Sequence, residues 1–453
     1  MPSGETPRSN LIRIARILGC FDHLNSPRPT HEILGAVGMG RSTGFALLRA
    51  LTLRGWLERV DHGSLRLGPK AAGLAYVPLE SVDTALPGST AALPLDKTAG
   101  ESHHAVTEWD ARLFETVATH TYKRPAPFRI GFANASLSNE WRRAMFESMR
   151  YAERLHADRI EAFLVREAGD DARVQVHQID ELVESGLDLL LVSTTNAHSP
   201  LLDRKLKEVA DAGLPVVAVD RRPRDPSSLV SFVTASDRRI GRISAVWLAE
   251  RLKGAGRIWM LSGLEGASPA MRRQSAAFAG FSEFPGIQIE AVTYTDWTEE
   301  GGRNAVQRLF EQGADTPDGI WCDSGLQGVG SLKFFIENDL PVPAHTGGDL
   351  NQMYKLALYH KVPFVALDYP AAMGARVVEV ALDILSGKSV PRRVEVPVPI
   401  VLPRGMETAS VRADSWAERH VGWDLPGTAI LSQGPSLRGL RADAENRQGS
   451  RHG

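Results

Sequence analysis

The sequence predicts an α/β protein in two parts: a small helical module closed by a hairpin, then a doubly wound parallel sheet, or two of them. Three observations carry this. Residues 10–77 read as helix, helix, glycine turn, helix and hairpin. Residues 78–105 are rich in Pro, Ser, Thr, Ala and Gly with few large apolar groups, as in a linker. From residue 128 onward, charge-poor runs of strand length alternate with segments of helical periodicity, the mark of repeated βα units.

A chain of 453 residues, 43% apolar and 23% charged, has room for two or three packed cores. No apolar run approaches the ~20 residues of a membrane span. Met1-Pro2-Ser3-Gly4-Glu5 does not lead a basic segment into an apolar one, so no secretion signal is expected and the protein is expected in the cytoplasm. Cys20 and Cys322 lie far apart and read as reduced, packed thiols. The 13 histidines show no pair at ligand spacing, and His103-His104 reads as solvated, so neither metal nor cofactor is expected. Residues 1–80 hold 10 Lys and Arg against 6 Asp and Glu, a balance of +4 on a remainder of −6. A basic module on an acidic body suggests a polyanion partner.

Residues 1–9 are expected to be disordered. Leu11, Ile14, Leu18 and Phe21 mark one face of a first helix; Thr30 can cap a second through His31-Glu32-Ile33-Leu34. Gly38-Met39-Gly40 makes the turn, and Ser42 can cap a third helix with Phe45, Leu48 and Leu51 on its apolar side. Gly55-Trp56-Leu57-Glu58-Arg59-Val60, a turn at residues 61–64 and Leu65-Arg66-Leu67 complete a hairpin. This is the order of a winged helix-turn-helix. Residues 11–74 resemble the DNA-binding domain of IclR-type regulators, through Ile14-Ala15-Arg16-Ile17-Leu18, Glu32-Ile33, Gly38-Met39, Ser42-Thr43, Leu47-Leu48-Arg49-Ala50-Leu51 and Gly55-Trp56-Leu57-Glu58. The resemblance implies that the third helix enters the major groove of duplex DNA while the hairpin touches backbone. Arg41, Ser42, Thr43 and Phe45 would then face bases or nearby phosphates, and Arg49, Arg54, Arg59 and Arg66 are phosphate candidates. Ala46 stands where the family usually has arginine, so no base preference carries over.

Residues 78–125 form the connector. Trp109, Leu113, Val117 and Thr121 recur every four residues and predict a short helix before Pro125, packed on the next domain or across a dimer.

In the large domain, residues 128–133 predict a first buried strand, and Met145, Met149, Ala152 and Leu155 the buried face of the helix after it. Further strands are expected at residues 187–193, 215–220, 257–262, 289–294, 319–322 and 364–367. Some 275 residues exceed one comfortable core, so two lobes with a cleft are expected. Polar residues recur at the carboxyl ends of these strands, where open α/β sheets bind ligands: Asn139, Ser193, Asp220-Arg221, Ser236-Asp237, Asp323, Asp349 and Asp368. Carboxylates accept from vicinal hydroxyls, guanidiniums donate to two acceptors, and Trp141 and Trp297 can stack on a sugar face.

Residues 128–402 resemble type I periplasmic sugar-binding proteins of the ribose-binding class. The resemblance rests on Ile130-Gly131 leading to Ser138-Asn139, Pro215-Val216-Val217 ending in Asp220-Arg221, Ser236-Asp237 with Gly241, Gly263 with Arg272 and Phe278, Asp296-Trp297, Gly347-Gly348-Asp349 and Leu367-Asp368-Tyr369-Pro370. It implies that Asn139, Trp141, Asp220, Arg221, Arg272, Asp349 and Asp368 line the ligand, with Arg142 where many relatives carry a second aromatic and Arg238 where many carry Asn. It implies a two-lobed domain over residues 126–403, and residues 404–453 are left as a tail, disordered from 432 and packed on the body through Trp416 and Trp423.

Competing chemistries lack their residues. Gly254-Ala255-Gly256 precedes a strand, where a dinucleotide loop follows one. No P-loop occurs, Ser262-Gly263 is a strand-end turn, and Glu299-Glu300 suits a helix start. An enzyme is therefore not expected. The two modules together predict a sugar-responsive DNA-binding transcriptional regulator, a homodimer with a monosaccharide or polyol effector and no membrane partner. The rivals are a solute-binding protein of a sugar transporter and a sugar-processing enzyme.

Overall fold

A computed structural model describes residue 17 and residues 28–37, 41–53, 56–60, 63–67, 115–195 and 199–437. The chain divides into two compact units, residues 1–95 and 96–453.

In the first unit, helix α1 (Thr30–Val37) and helix α2 (Arg41–Leu53) join a three-stranded antiparallel sheet of β1 (Arg28–Pro29), β3 (Ser64–Leu67) and β2 (Leu57–Arg59), in that order. Ile17, Ile33, Leu34, Leu48, Leu51, Leu57 and Leu65 are buried. Gly44 lets α2 approach α1, since a Cβ there would overlap the Leu34 side chain. Two expectations change. Phe45 is 53% exposed, because Gly44, Leu48 and Leu51 define the buried face and Phe45 lies one position off it. Thr30 ties its own N–H and hydroxyl to the Gly63 carbonyl in the hairpin turn, both at 2.8 Å. The rest of the first predicted helix, the Gly38-Met39-Gly40 turn, Arg54 and residues 1–9 lie outside the described residues.

The second unit holds two sheets. The first runs β16 (Arg393–Glu395), β9 (Ser231–Thr234), β8 (Val216–Val219), β7 (Leu189–Ser193), β5 (Phe128–Asn134), β6 (Ile160–Glu167), all neighbours parallel. The second runs β11 (Gly286–Tyr294), β10 (Ala255–Ser262), β12 (Gly319–Cys322), β13 (Ala344–Gly347), β14 (Phe364–Leu367), β17 (Ile400–Leu402), β18 (Ser415–Trp416), with only β14–β17 antiparallel. The short β4 (Thr116–Val117) pairs with β15 (Val390–Pro391). Helices α3 (Glu140–Leu155), α4 (Ala172–Glu184) and α5 (Pro200–Asp211) belong to the first lobe. In the second lie α6 (Asp237–Arg251), α7 (Ser268–Phe281), α8 (Glu299–Glu311), α9 (Gly325–Glu337) and α10 (Asn351–Tyr359). Helix α11 (Met373–Leu385) follows a second-lobe strand yet packs on α3 and β8 in the first. Among the described residues, the chain linking the two sheets therefore crosses between lobes at residues 235–236, 368–372 and 396–399.

Central strands β7 and β8 are buried at every residue, as a parallel sheet covered on both faces requires. Trp247, Trp259 and Trp321 fill the second lobe; burying a side chain of that size stabilises by roughly 1.5–3 kcal/mol or more. Several expectations are corrected. Leu155 is 62% exposed, at the last residue of α3. Residues 116–117 are a strand and residues 120–122 a single 3-10 turn where the connector periodicity predicts helix; Trp109 and Leu113 lie outside the described residues. Trp423 is 58% exposed, while Trp416 is partly buried under Arg404. Residues 432–437 are not a disordered tail: residues 431–436 form a 3-10 turn packed against α3, with Gln433 buried. None of the described helices is long and apolar enough to cross a membrane.

Candidate ligand-binding site

The two sheets direct their strand ends at a cavity of about 330 Å³ between the lobes. Asn139, Trp141, Arg142, Asp220 and Arg221 line it from the first lobe. Pro269, Arg273, Trp297, Ser324, Leu326 and Asp349 line it from the second, and Tyr369 comes from the 368–372 crossing.

On the first-lobe wall, Asn139 caps α3, its side chain accepting from the Arg142 N–H at 3.0 Å. That cap fixes the first turn, which carries Trp141 and Arg142 inward. Arg142 is 2% exposed and donates from Nε to the Ser136 carbonyl (2.6 Å), from Nη1 to Asp220 Oδ2 (2.8 Å), and from Nη2 to Asn134 Oδ1 (2.6 Å) and Ser193 Oγ (3.1 Å). Burial, then the neighbouring Arg221 charge, lower its pKa to about 10, so it stays cationic at neutral pH. Asp220 is held at φ 63°, a left-handed conformation uncommon outside glycine. Arg221 pairs with Asp170 at 2.7 Å, not with Asp220, and lies over the Trp297 ring at 5.7 Å, from one lobe to the other.

The opposite wall is built differently. Arg273 pairs with Asp237 at 2.9 Å and lies over the rings of Tyr369 (4.2 Å) and Trp297 (5.9 Å). Burial works against its charge, but Asp237 and Asp323 more than offset that and hold the guanidinium protonated. Trp297, at φ 52°, donates from Nε1 to Asp323 Oδ1 at 3.0 Å; Gly263 makes room for it, since a Cβ there would overlap the indole. Asp349, at φ 68°, accepts from Ser324 Oγ (3.1 Å) and the Tyr369 N–H (2.5 Å). Burial, and behind it the Asp368 charge, push its carboxyl well above the usual carboxylate range.

The structure brings together Asn139, Trp141, Arg142, Asp220, Arg221, Trp297 and Asp349 of the expected set. The other expected residues do not line the cavity. Ser193 sits beneath Arg142 and Asp220. Ser236 caps α6. Asp237 holds Arg273, and Asp323 holds Trp297 and Gln327. Asp368 is fully buried behind Asp349: Oδ1 accepts from the Asp349 N–H (2.6 Å) and Tyr354 OH (2.5 Å), and Oδ2 meets His420 Nε2 at 2.7 Å. Arg273 takes the place expected of Arg272. Ala270 and Ala277 are buried at i−3 and i+4 from Arg273, but Pro269 and Ala276 stand at the same spacing from Arg272, so sequence alone carries no signal that separates the two. Sequence reading also missed Tyr369, whose ring packs 5.0 Å from Trp141 and whose carbonyl accepts from Trp141 Nε1 at 2.7 Å.

The lining offers guanidiniums and an amide as donors, two carboxyls as acceptors, and indole and phenol faces. It contains neither His nor Cys, and Ser324 donates its hydroxyl to the Asp349 carboxyl. Among the described residues no cluster of His, Cys, Asp and Glu is arranged to hold a metal ion.

Residues 130–389 match the family described as Periplasmic binding protein domain. The chain belongs to that family. It is 22% identical over 275 residues to the ribose import binding protein of Bacillus subtilis, covering 60% of this chain and 86% of that protein. It is 27% identical over 199 residues to a D-ribose/D-allose-binding protein of Pseudomonas aeruginosa, covering 42% of this chain and 61% of that one. A solute-binding protein of Bacillus halodurans solved with myo-inositol shares the fold at a TM-score of 0.57 and 18% identity, over 62% of this chain and 97% of that one. These relatives of the family member described here are binding proteins, not enzymes.

Proposed function

We propose that this protein is a sugar-responsive DNA-binding transcriptional regulator acting in the cytoplasm as a homodimer. A monosaccharide or related polyol closes the two lobes and changes how the N-terminal unit engages duplex DNA. The observation that carries the sugar is the facing pair of acceptors, Asp220 and Asp349, each beside a guanidinium, around about 330 Å³. The ribose, allose and inositol in the names of the relatives support the same class.

The DNA half is supported by the order α1, α2, hairpin, and by the exposure of Phe45, Arg49 and Arg59. Arg41, Ser42 and Thr43 open α2. Arg66 pairs with Glu58 at 2.9 Å, so on this reading it shares its charge between that carboxylate and a phosphate. A second reading, a solute-binding protein for sugar import, is favoured by the ribose import for which the Bacillus subtilis relative is named; it leaves the basic N-terminal unit without a task.

Calorimetric titration of D-ribose and xylitol, with and without a duplex selected by the full chain from random sequence, separates the two. Linked sites must shift each other's affinity equally, typically ~5–150-fold. A regulator gives different sugar affinities in the two titrations and DNA binding that weakens steeply with salt. Sugar binding without salt-sensitive DNA binding selects the transport reading.

A further inference from the structure

The segment after residue 402 lies outside the family match at residues 130–389, yet it packs on the second lobe and on the crossing behind the cleft wall. Helix α10 begins without a side-chain cap. The segment supplies the acceptors its first turn lacks: the Ala429 carbonyl takes the Asn351 N–H and the Gly427 carbonyl the Gln352 N–H, each at 2.9 Å. The Asn351 side chain in turn donates to the Gly422 carbonyl at 2.8 Å and accepts the Gly422 N–H at 3.0 Å. Residues 422–430 are thus fastened to the second lobe.

Two residues of the segment, His420 and Ser432, reach the 368–372 crossing, the strip on which the lobes must swing. His420 meets Asp368 Oδ2 at 2.7 Å, and Asp368 Oδ1 takes the N–H of Asp349. Beyond it, Leu431 N–H donates to the Asp349 carbonyl at 3.0 Å. Ser432 then grips the crossing at three points: its hydroxyl donates to the Tyr369 carbonyl (2.9 Å) and accepts the Ala371 N–H (3.2 Å), and its carbonyl accepts the Ala372 N–H (3.0 Å). Gly434, at φ 71°, turns the chain over Ala372, and residues 431–436 end against α3 of the first lobe. One continuous segment therefore touches the second lobe, the hinge and the first lobe, and contacts the backbone of both Asp349 and Tyr369, two residues of the cavity wall.

We propose that residues 417–437 are a hinge strap, with His420 and Ser432 as positioning residues: they hold Asp368 and the 368–372 crossing, and through them set Asp349 and Tyr369 for the ligand. That these two residues meet a sugar rests on the function proposed above; that the strap orders the hinge does not.

The test uses the full chain and the variants His420→Ala, His420→Gln and Ser432→Ala. Hydrogen exchange is read at the amides of Asp349, Tyr369, Ala371 and Ala372, and melting temperature alongside. Losing a charge-assisted hydrogen bond corresponds to roughly ten-fold or more in an equilibrium constant. His420→Ala is expected to speed exchange at Asp349 and Tyr369 about ten-fold, with His420→Gln, which keeps a donor at the reach of Nε2, restoring most of the protection. Ser432→Ala is expected to speed exchange at Ala371, whose N–H loses its hydroxyl acceptor, more than at Ala372, whose acceptor is the backbone carbonyl of residue 432. Unchanged exchange in both alanine variants overturns the strap, as does acceleration spread evenly over both lobes or no rescue by glutamine. D-ribose and xylitol are titrated into the same proteins, where His420→Ala should bind the accepted sugar about ten-fold more weakly, again rescued by glutamine. If the parent binds neither sugar, the proposed ligand class fails while the exchange result still decides the strap.

Discussion

The two walls of the cleft solve one problem, holding charge out of water, in opposite ways. On the first-lobe wall, Arg142 is caged by Asp220, Asn134, Ser193 and the Ser136 carbonyl, and Arg221 by Asp170. Across the cleft Arg273 has one carboxylate, the Asp323 carbonyl (3.2 Å) and two aromatic faces, and Asp349 is driven toward its neutral form by burial and by Asp368. The first wall is a fully hydrogen-bonded ionic lattice fixed by its own strand ends. The second is softer, and its acid is set by residues that arrive from the crossing and the C-terminal segment. A rigid recognition face thus opposes one whose charge depends on its surroundings.

The largest effect is expected where the lattice is broken. Arg142→Met leaves Asp220 buried and unpaired, at a cost of about 3–5 kcal/mol in chemical denaturation. A loss under about 1 kcal/mol, the range of exposed pairs, would show that the cage does not hold the first lobe.

Acid should attack the second lobe first. His345, buried in β13, is pushed down to about 4 from an ordinary 6.5, because burial disfavours its charge. The unfolded chain then binds the extra proton between those values, so stability from this group is lost as pH falls from about 6.5 to about 4, by up to ~3 kcal/mol. His345→Gln should flatten that limb of the stability profile; an unchanged limb contradicts the assignment.

Trp297→Phe keeps an aromatic face but removes the donor to Asp323, and thermal denaturation should show a loss of about 1–2 kcal/mol. The smallest effect is the most discriminating. Asp349→Asn mimics a protonated acid and should change stability by less than about 1 kcal/mol, since Ser324 can turn its hydroxyl to accept. It should be neutral or stabilising at neutral pH, because a carboxyl whose folded pKa is raised loses stability as pH rises toward that value. The same change at Asp220 should cost several times more. Equal costs at the two positions would erase the distinction between the walls.

Much of this was legible in the sequence where one force dominated. The apolar run at residues 130–133 and the four residues of β12 read as buried strands between helices, and the strand-end residues Asp220, Arg221 and Asp349 follow from the same pattern. Legibility failed where neighbours decide. Strand β6 carries Glu161, Arg166 and Glu167 because it lies at the sheet edge, and its charges hide it. Strand β13, Ala344–Gly347, is too short and too polar to signal itself. Arg272 and Arg273 differ by one helical position, and only the buried Ala270 and Ala277 choose between them. Asp368 has the residue type and strand-end position of a ligand contact; His420, 52 residues away, and Tyr354 take its oxygens instead. No local pattern could announce that pairing.

The central claim is that this cleft binds a sugar through its first-lobe carboxylate. Its most direct test is calorimetric titration of D-ribose, D-allose, xylitol and myo-inositol into the full chain and into Asp220→Asn, with the fold of each checked by melting. The account predicts one-to-one binding of at least one of them by the parent, weakened in the folded variant by roughly 1–3 kcal/mol or more as hydroxyls lose a charged acceptor. Binding of equal strength in parent and variant would contradict it.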